Sequence, residues 1–161
     1  MNPKDILDTG LQSGFASQGT YNTVNRAGFQ LSATHVVQDG GVYHDEYVTG
    51  GGNELARTVD GQAIIRTYAG DTISAEKLNQ LGISEEEVLN FLKRIILEHA
   101  NDTRFDQDFE LLQGEWREWQ YNYKVTYTSE DPYLITGIET IRYAGQQVFV
   151  HAFNISNVRE S

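Results

Sequence analysis

The stretch ISEEEVLNFLKRIILEHA, residues 83–100, decides how the rest of the chain is read. Ser84 is placed to cap a helix, and Glu87, three residues on, can reach back to complete a capping box. Ile83 before the cap and Val88 beyond it fit a hydrophobic staple. Val88, Phe91, Leu92, Ile95, Ile96 and His99 follow three-and-four spacing, which lays one apolar stripe along the helix. Such a stripe has to be buried, and the sequence on either side turns to aromatic strands. The expectation is an α+β fold, a meander-type antiparallel sheet of about seven strands packed on one long helix, with a short N-terminal helix.

Asn2-Pro3 opens that N-terminal helix, with Ile6, Leu7 and Leu11 along one side and an end near Gly14. Residues 17–28 are polar and glycine-bearing and read as loop. Residues 31–37 and 42–48 flank Gln38-Asp39-Gly40-Gly41, a strong hairpin signal. Further turns are expected at 50–53 and at Asp60-Gly61, between strands 54–59 and 62–68. A short helix spans 74–80 and stops around Gly82. After the main helix, a strand at 109–112 turns at Gln113-Gly114 into a long strand from 115 to about 128. Ser129-Glu130-Asp131-Pro132 is a turn, and strands 133–143 and 147–154 meet at Ala144-Gly145.

The 161 residues suit a single domain over 1–161. No apolar run is long enough to cross a membrane and no signal-peptide core opens the chain, so no membrane partner is expected and the setting reads as cytoplasmic. Cysteine is absent, which excludes disulfides, thiolate metal sites and cysteine nucleophiles. With 23 acidic and 12 basic residues the net charge is −11. An acidic protein of this kind is soluble and poorly matched to polyphosphate. Residues 78–84 followed by Glu85-Glu86-Glu87-Val88 resemble the centre of a helix-turn-helix, but three glutamates occupy the turn that would meet phosphates, so no nucleic-acid partner is expected.

Alternation along the hairpins nominates the chemistry. About the Asp39-Gly40 turn, Val37 faces Val42, His35 faces His44 and Ala33 faces Glu46, a set that would suit a divalent ion only with one more ligand or water and otherwise reads as a solvated polar patch. No metal is assigned. The opposite face carries Tyr43, Asp45 and Tyr47, a carboxylate between two phenols, either a ligand contact or a simple hydrogen-bond acceptor. In the last hairpin Gly137, Glu139, Ile141 and Tyr143 share a face, with Ile141 expected opposite Val148 and Glu139 opposite Val150. A glutamate in that apolar setting has to be paired internally or functional. Trp119, Tyr121, Tyr123, Val125 and Tyr127 also share a face, as core or as a stacking wall for a flat ligand. No phosphate loop, nucleophile elbow or cofactor motif is present, and no cofactor is expected.

Tyr43-His44-Asp45-Glu46-Tyr47 followed by Gly50, then Val59-Asp60-Gly61, Tyr68-Ala69-Gly70 and Gly137-Ile138-Glu139-Thr140-Ile141-Arg142-Tyr143-Ala144-Gly145 with Val148, resemble a family of small bacterial domains of unknown function. Members also occur fused behind helix-turn-helix regulators. The similarity spans most of the chain from about Phe15; Leu55 and Arg57 stand where the family pattern has glycine and glutamate, and Ile65 near its tryptophan. The fusions imply a sensing or interaction role. The leading expectation is therefore a non-catalytic small-molecule-sensing or protein-interaction module, with Tyr43, Asp45, Tyr47, Glu139, Tyr143, Trp119 and Tyr121 as candidate ligand contacts. The alternatives are an enzyme using Asp45 or Glu139 for acid–base chemistry, or a structural homodimer pairing through a sheet edge.

Overall fold

The apolar stripe forms a helix. In the computed structural model, which describes residues 2–16, 21–99, 102, 105–111 and 118–158, helix α3 spans Glu85–His99 and buries Val88, Phe91, Leu92, Ile95 and Ile96. Its capping box is in place. The Ser84 N–H donates to Glu87 Oε2 (2.8 Å) and the Glu87 N–H donates to Ser84 Oγ (3.2 Å). Each large apolar side chain on the stripe contributes about 1.5–3 kcal/mol over leaving it exposed. That outweighs the propensity differences of about 0.7 kcal/mol among such residues, so burial fixes this helix.

Helix α1, Pro3–Leu11, starts with its own capping box between Asn2 and Asp5. It then widens into a π-helical turn, Gln12–Ala16, instead of ending. Tyr21 Oη donates to the Phe15 carbonyl (3.2 Å) at that turn. Helix α2, Ala75–Gln80, is capped by Ser74 and buries Leu78. Gly82, at φ +75°, supplies the left-handed turn before α3. The short helices expected at the N-terminus and over 74–80 are both present, at nine and six residues, and the helix expected to be long runs fifteen. None is long and apolar enough to cross a membrane.

Nine strands, rather than about seven, build one sheet: β1 Asn22–Arg26, β2 Phe29–Gln38, β3 Gly41–Val48, β4 Gly51–Arg57, β5 Ala63–Thr72, β6 Phe109–Leu111, β7 Trp119–Glu130, β8 Tyr133–Tyr143 and β9 Gln146–Val158. The order is β1-β2-β3-β4-β5-β9-β8-β7-β6, and every pairing is antiparallel. Strand β1 lies in the segment read as loop. It is an edge strand with only Val24 partly covered, so it carries no apolar alternation to betray it. The turn expected over 50–53 is tighter, because Gly51, Gly52 and Asn53 belong to β4. The Gln113-Gly114 turn and the start of the strand expected from 115 lie outside the described residues.

The first hairpin has the expected register: Val37 pairs with Val42, His35 with His44 and Ala33 with Glu46. The last does not. Glu139 lies opposite His151 and Ile141 opposite Phe149, because a bulge between Ile141 and Arg142 adds one residue that turn counting cannot see. Tyr43, Ala56, Ile64, Tyr121, Ile141 and Phe149 from one face of the sheet join the helices in a single core. Helix α1 sits so close to β3 that a Cβ on Gly10 would lie 2.0 Å from Tyr43 Cγ.

Candidate functional site

Where period-two alternation predicts the centre of that core, the sheet instead places charge. Asp45 on β3 pairs directly with Glu54 on β4, and Glu54 with Arg66 on β5. Glu139 on β8 stands across β9, paired with His151. Asp45, Glu54, Arg66 and Glu139 are 3%, 1%, 2% and 1% exposed. Like carboxylates directly opposite one another on a buried face are unfavourable in a sheet, and stability alone gives no reason to retain them.

The cluster is tied together by short contacts. Arg66 Nη1 donates to Glu54 Oε2 (2.6 Å), and Tyr43 Oη donates to Glu54 Oε1 (3.2 Å). Arg66 Nη2 lies 3.7 Å from Glu139 Oε2, an electrostatic contact rather than a hydrogen bond. Tyr121 Oη donates to Glu139 Oε1 (2.6 Å), and His151 Nδ1 is 3.5 Å from Glu139 Oε2. Tyr68 Oη donates to Asp45 Oδ1 at 3.4 Å. Gly52 makes that reach possible: a Cβ there would fall 2.5 Å from the Tyr68 hydroxyl. The Arg66 guanidinium packs against the rings of Tyr68 and Phe153 at 5.2 and 5.3 Å.

Protonation follows from this setting. Burial pushes the Tyr43 phenol well above its ordinary range, and the negative charges of Glu54 and Asp45 push it further. Tyr68 is raised likewise, first by burial and then by Asp45 and Glu54. Burial disfavours the Arg66 charge, but Glu54 and Glu139 outweigh it and hold the guanidinium protonated. Both phenols are therefore neutral donors at any physiological pH.

These groups line a cavity of about 170 Å³ between the sheet and α3. Asp45, Glu54, Arg66, Tyr68, Glu139 and His151 form its polar side. Leu89, Leu92 and Ile96 of α3, with Leu11, Phe15 and Phe149, form the apolar side. A wider groove of about 650 Å³ beside the start of α1 and the end of β9 brings in no buried charged side chain.

Of the residues nominated from sequence, Asp45, Tyr47 and Glu139 line this cavity. Tyr43 and Tyr121 stand just behind it, holding Glu54 and Glu139. Trp119 and Tyr143 belong elsewhere: Trp119 stacks on Phe91 (5.0 Å) and lies 4.8 Å from Tyr143. The sequence reading passed over Glu54, Arg66, Tyr68 and His151. A signal existed, since Ile64, Arg66 and Tyr68 alternate with Ile65 and Thr67 on β5 and put an arginine on the apolar face. His35 and His44 lie on the other face of the sheet, 5.6 Å apart, and Glu46 there accepts from Arg26 (2.7 Å). Among the described residues no three histidine, aspartate or glutamate side chains gather as a metal set.

Fold and site together define an α+β sheet protein with a charged, half-apolar cavity beneath a helix. Comparisons with family models, curated proteins and solved structures found no match for the chain.

Proposed function

We propose that the chain is a non-catalytic small-molecule-sensing module whose ligand site is the cavity under α3. The observation that carries this is the buried set Asp45, Glu54, Arg66 and Glu139 lining an otherwise apolar cavity. Ligand sites have this make-up, an apolar wall with a few convergent polar groups. The resemblance to domains found behind regulators supports a sensing role over a purely structural one. A fragment library screened by melting temperature and by amide chemical shifts tests it. The same screen is run on Leu89→Trp, which narrows the cavity from a half-buried position. Hits on the native chain that disappear in the variant are expected. Hits indifferent to Leu89→Trp, or none, would remove the site.

A second reading is favoured by one contact. Glu139 and His151 are within 3.5 Å of each other and both line the cavity, an arrangement an enzyme could use for proton transfer, with Asp45 as the second carboxylate. Turnover of a bound fragment that stops in Glu139→Gln while binding persists would favour this reading over the first.

A further inference from the structure

Arg66 has its charge answered but not its hydrogen bonds. The side chain is 2% exposed, lines the cavity and stands between Glu54 and Glu139. Nη1 donates to Glu54 at 2.6 Å, and the rings of Tyr68 and Phe153 pack against the guanidinium. Nε and Nη2 make no hydrogen bond among the described residues. Those two nitrogens share one edge of the plane, the fork that receives oxygen acceptors side-on. Glu139 Oε2, at 3.7 Å from Nη2, is too distant to close it, and Glu139 Oε1 accepts from Tyr121 at 2.6 Å. A buried donor left without an acceptor bears the full cost of its lost hydration. Two such donors on one edge of a cavity wall mark a place for an acceptor that comes from outside the chain. Across the cavity, Leu89, Leu92 and Ile96 of α3 offer only hydrocarbon.

We propose that the ligand is a neutral molecule whose carbonyl oxygen, that of a ketone, amide or lactone, seats on the Nε–Nη2 edge of Arg66 while a small aliphatic or aromatic body lies against α3. The inference rests on the cavity being a ligand site. A carbonyl oxygen has two lone pairs near the plane of its bond and no proton to place, which matches a fork of two N–H groups. A charged oxygen is not called for, because Glu54 and Glu139 already meet the charge of the guanidinium, and an ion costs far more than a neutral group to withdraw from water. An ammonium or a metal ion has no lone pair to offer the edge. The cavity, about 170 Å³, is of the order of the roughly 150 Å³ known to hold benzene, so the body is about that of an isobutyl or phenyl group.

The test is a chemical-shift titration of the full chain at pH 7, following the Arg66 side-chain Nε–H and the amides of Gly70, Leu92 and His151. The probes are 4-methylpentan-2-one, 3-methylbutanamide and acetophenone. Against them are set 2,4-dimethylpent-1-ene and α-methylstyrene, in which a methylene group replaces the carbonyl oxygen, and the two ions 3-methylbutanoate and 3-methylbutylammonium. At least one carbonyl probe should bind about ten times more tightly than its hydrocarbon counterpart, the worth of a hydrogen bond to a charged donor, and should move the Arg66 Nε–H resonance. Arg66→Lys, which keeps the charge and loses the fork, should remove most of that advantage. If this variant does not fold, the paired probes and the Arg66 resonance on the native chain decide. Equal binding of ketone and alkene overturns the inference, as does an ion that binds as tightly as the carbonyl probes, or a bound ketone that leaves the Arg66 resonance unmoved. So does failure of every carbonyl probe while fragments of other chemistry occupy the cavity, a result that leaves the ligand site standing. Failure of every fragment removes both.

Discussion

Arg66→Met is the sharpest probe of the cluster. The substitution keeps an unbranched apolar stem but removes, among the described residues, the guanidinium that meets Glu54 and Glu139, both 1% exposed. Breaking a buried pair by deleting one partner costs about 3–5 kcal/mol, because the remaining charge is stranded. Here the 2.6 Å bond to Glu54 is lost and the electrostatic contact to Glu139 with it, which puts the expectation at about 5 kcal/mol, the upper end. Against a typical total of about 5–15 kcal/mol, that is enough to unfold a marginal chain. Arg66→Lys therefore accompanies it, retaining charge but not the fork, with about half the loss. Urea unfolding monitored by tryptophan fluorescence measures both, and Glu54→Gln combined with Arg66→Met completes a double-mutant cycle. The double variant should be more stable than the two single losses added together predict, by about 0.5–3 kcal/mol. If Arg66→Met unfolds within about 1 kcal/mol of the native chain, the range for exposed ion pairs, the pair is not desolvated and the account of the site fails.

Three further outcomes follow from particular contacts. Tyr43 and Tyr68 have raised phenol pKa values in the fold, so their contribution is complete below the unfolded value of about 10 and declines above it, by about 1.4 kcal/mol per pH unit for each; urea midpoints between pH 9 and 11 should show a fall to which other raised phenols such as Tyr21 also contribute, and Tyr43→Phe should make it shallower by about one phenol's share. Gly10→Ala gains about 1 kcal/mol of helix propensity but drives a methyl into the Tyr43 ring; overpacking of about 1–3 kcal/mol should win, and a raised melting temperature would show that α1 shifts freely. Ser84→Ala removes the cap bonded to the Glu87 N–H and should cost about 1 kcal/mol in urea unfolding, while no loss would mean the first turn of α3 is held by packing alone.

The sequence announced what local rules govern. The α3 stripe, the capping boxes at Asn2 and Ser84, and the Asp39-Gly40 and Ala144-Gly145 turns are written in neighbouring residues, and the structure contains them. It hid what depends on partners far away. Strand β1 exists because β2 offers an edge, not because Asn22–Arg26 alternate. The bulge after Ile141 changed the residue facing Glu139 from Val150 to His151, and that histidine was therefore missed. Glu139 was legible as an anomaly from its own strand. Arg66 was legible in the same way, as an arginine on the apolar face of its strand, but its partners were not, because they come from Glu54 on one neighbouring strand and Glu139 two strands away.

The junction between β5 and β9 has a consequence for how the protein opens. Strands β1 to β5 zip by short turns, as do β7 to β9, but Thr72 meets Phe149 only after most of the chain between them has been brought round. Closing that loop is the entropically costly, late step of assembly. Arg66 belongs to the first half, and Glu139 and His151 to the second, so the cavity has both its walls only when the junction is shut. On the proposed function, a ligand held there would touch both halves of the sheet at once. Its binding energy should appear as hydrogen-exchange protection at the β5–β9 amides, linking occupancy to opening of the two halves rather than to motion of a single loop.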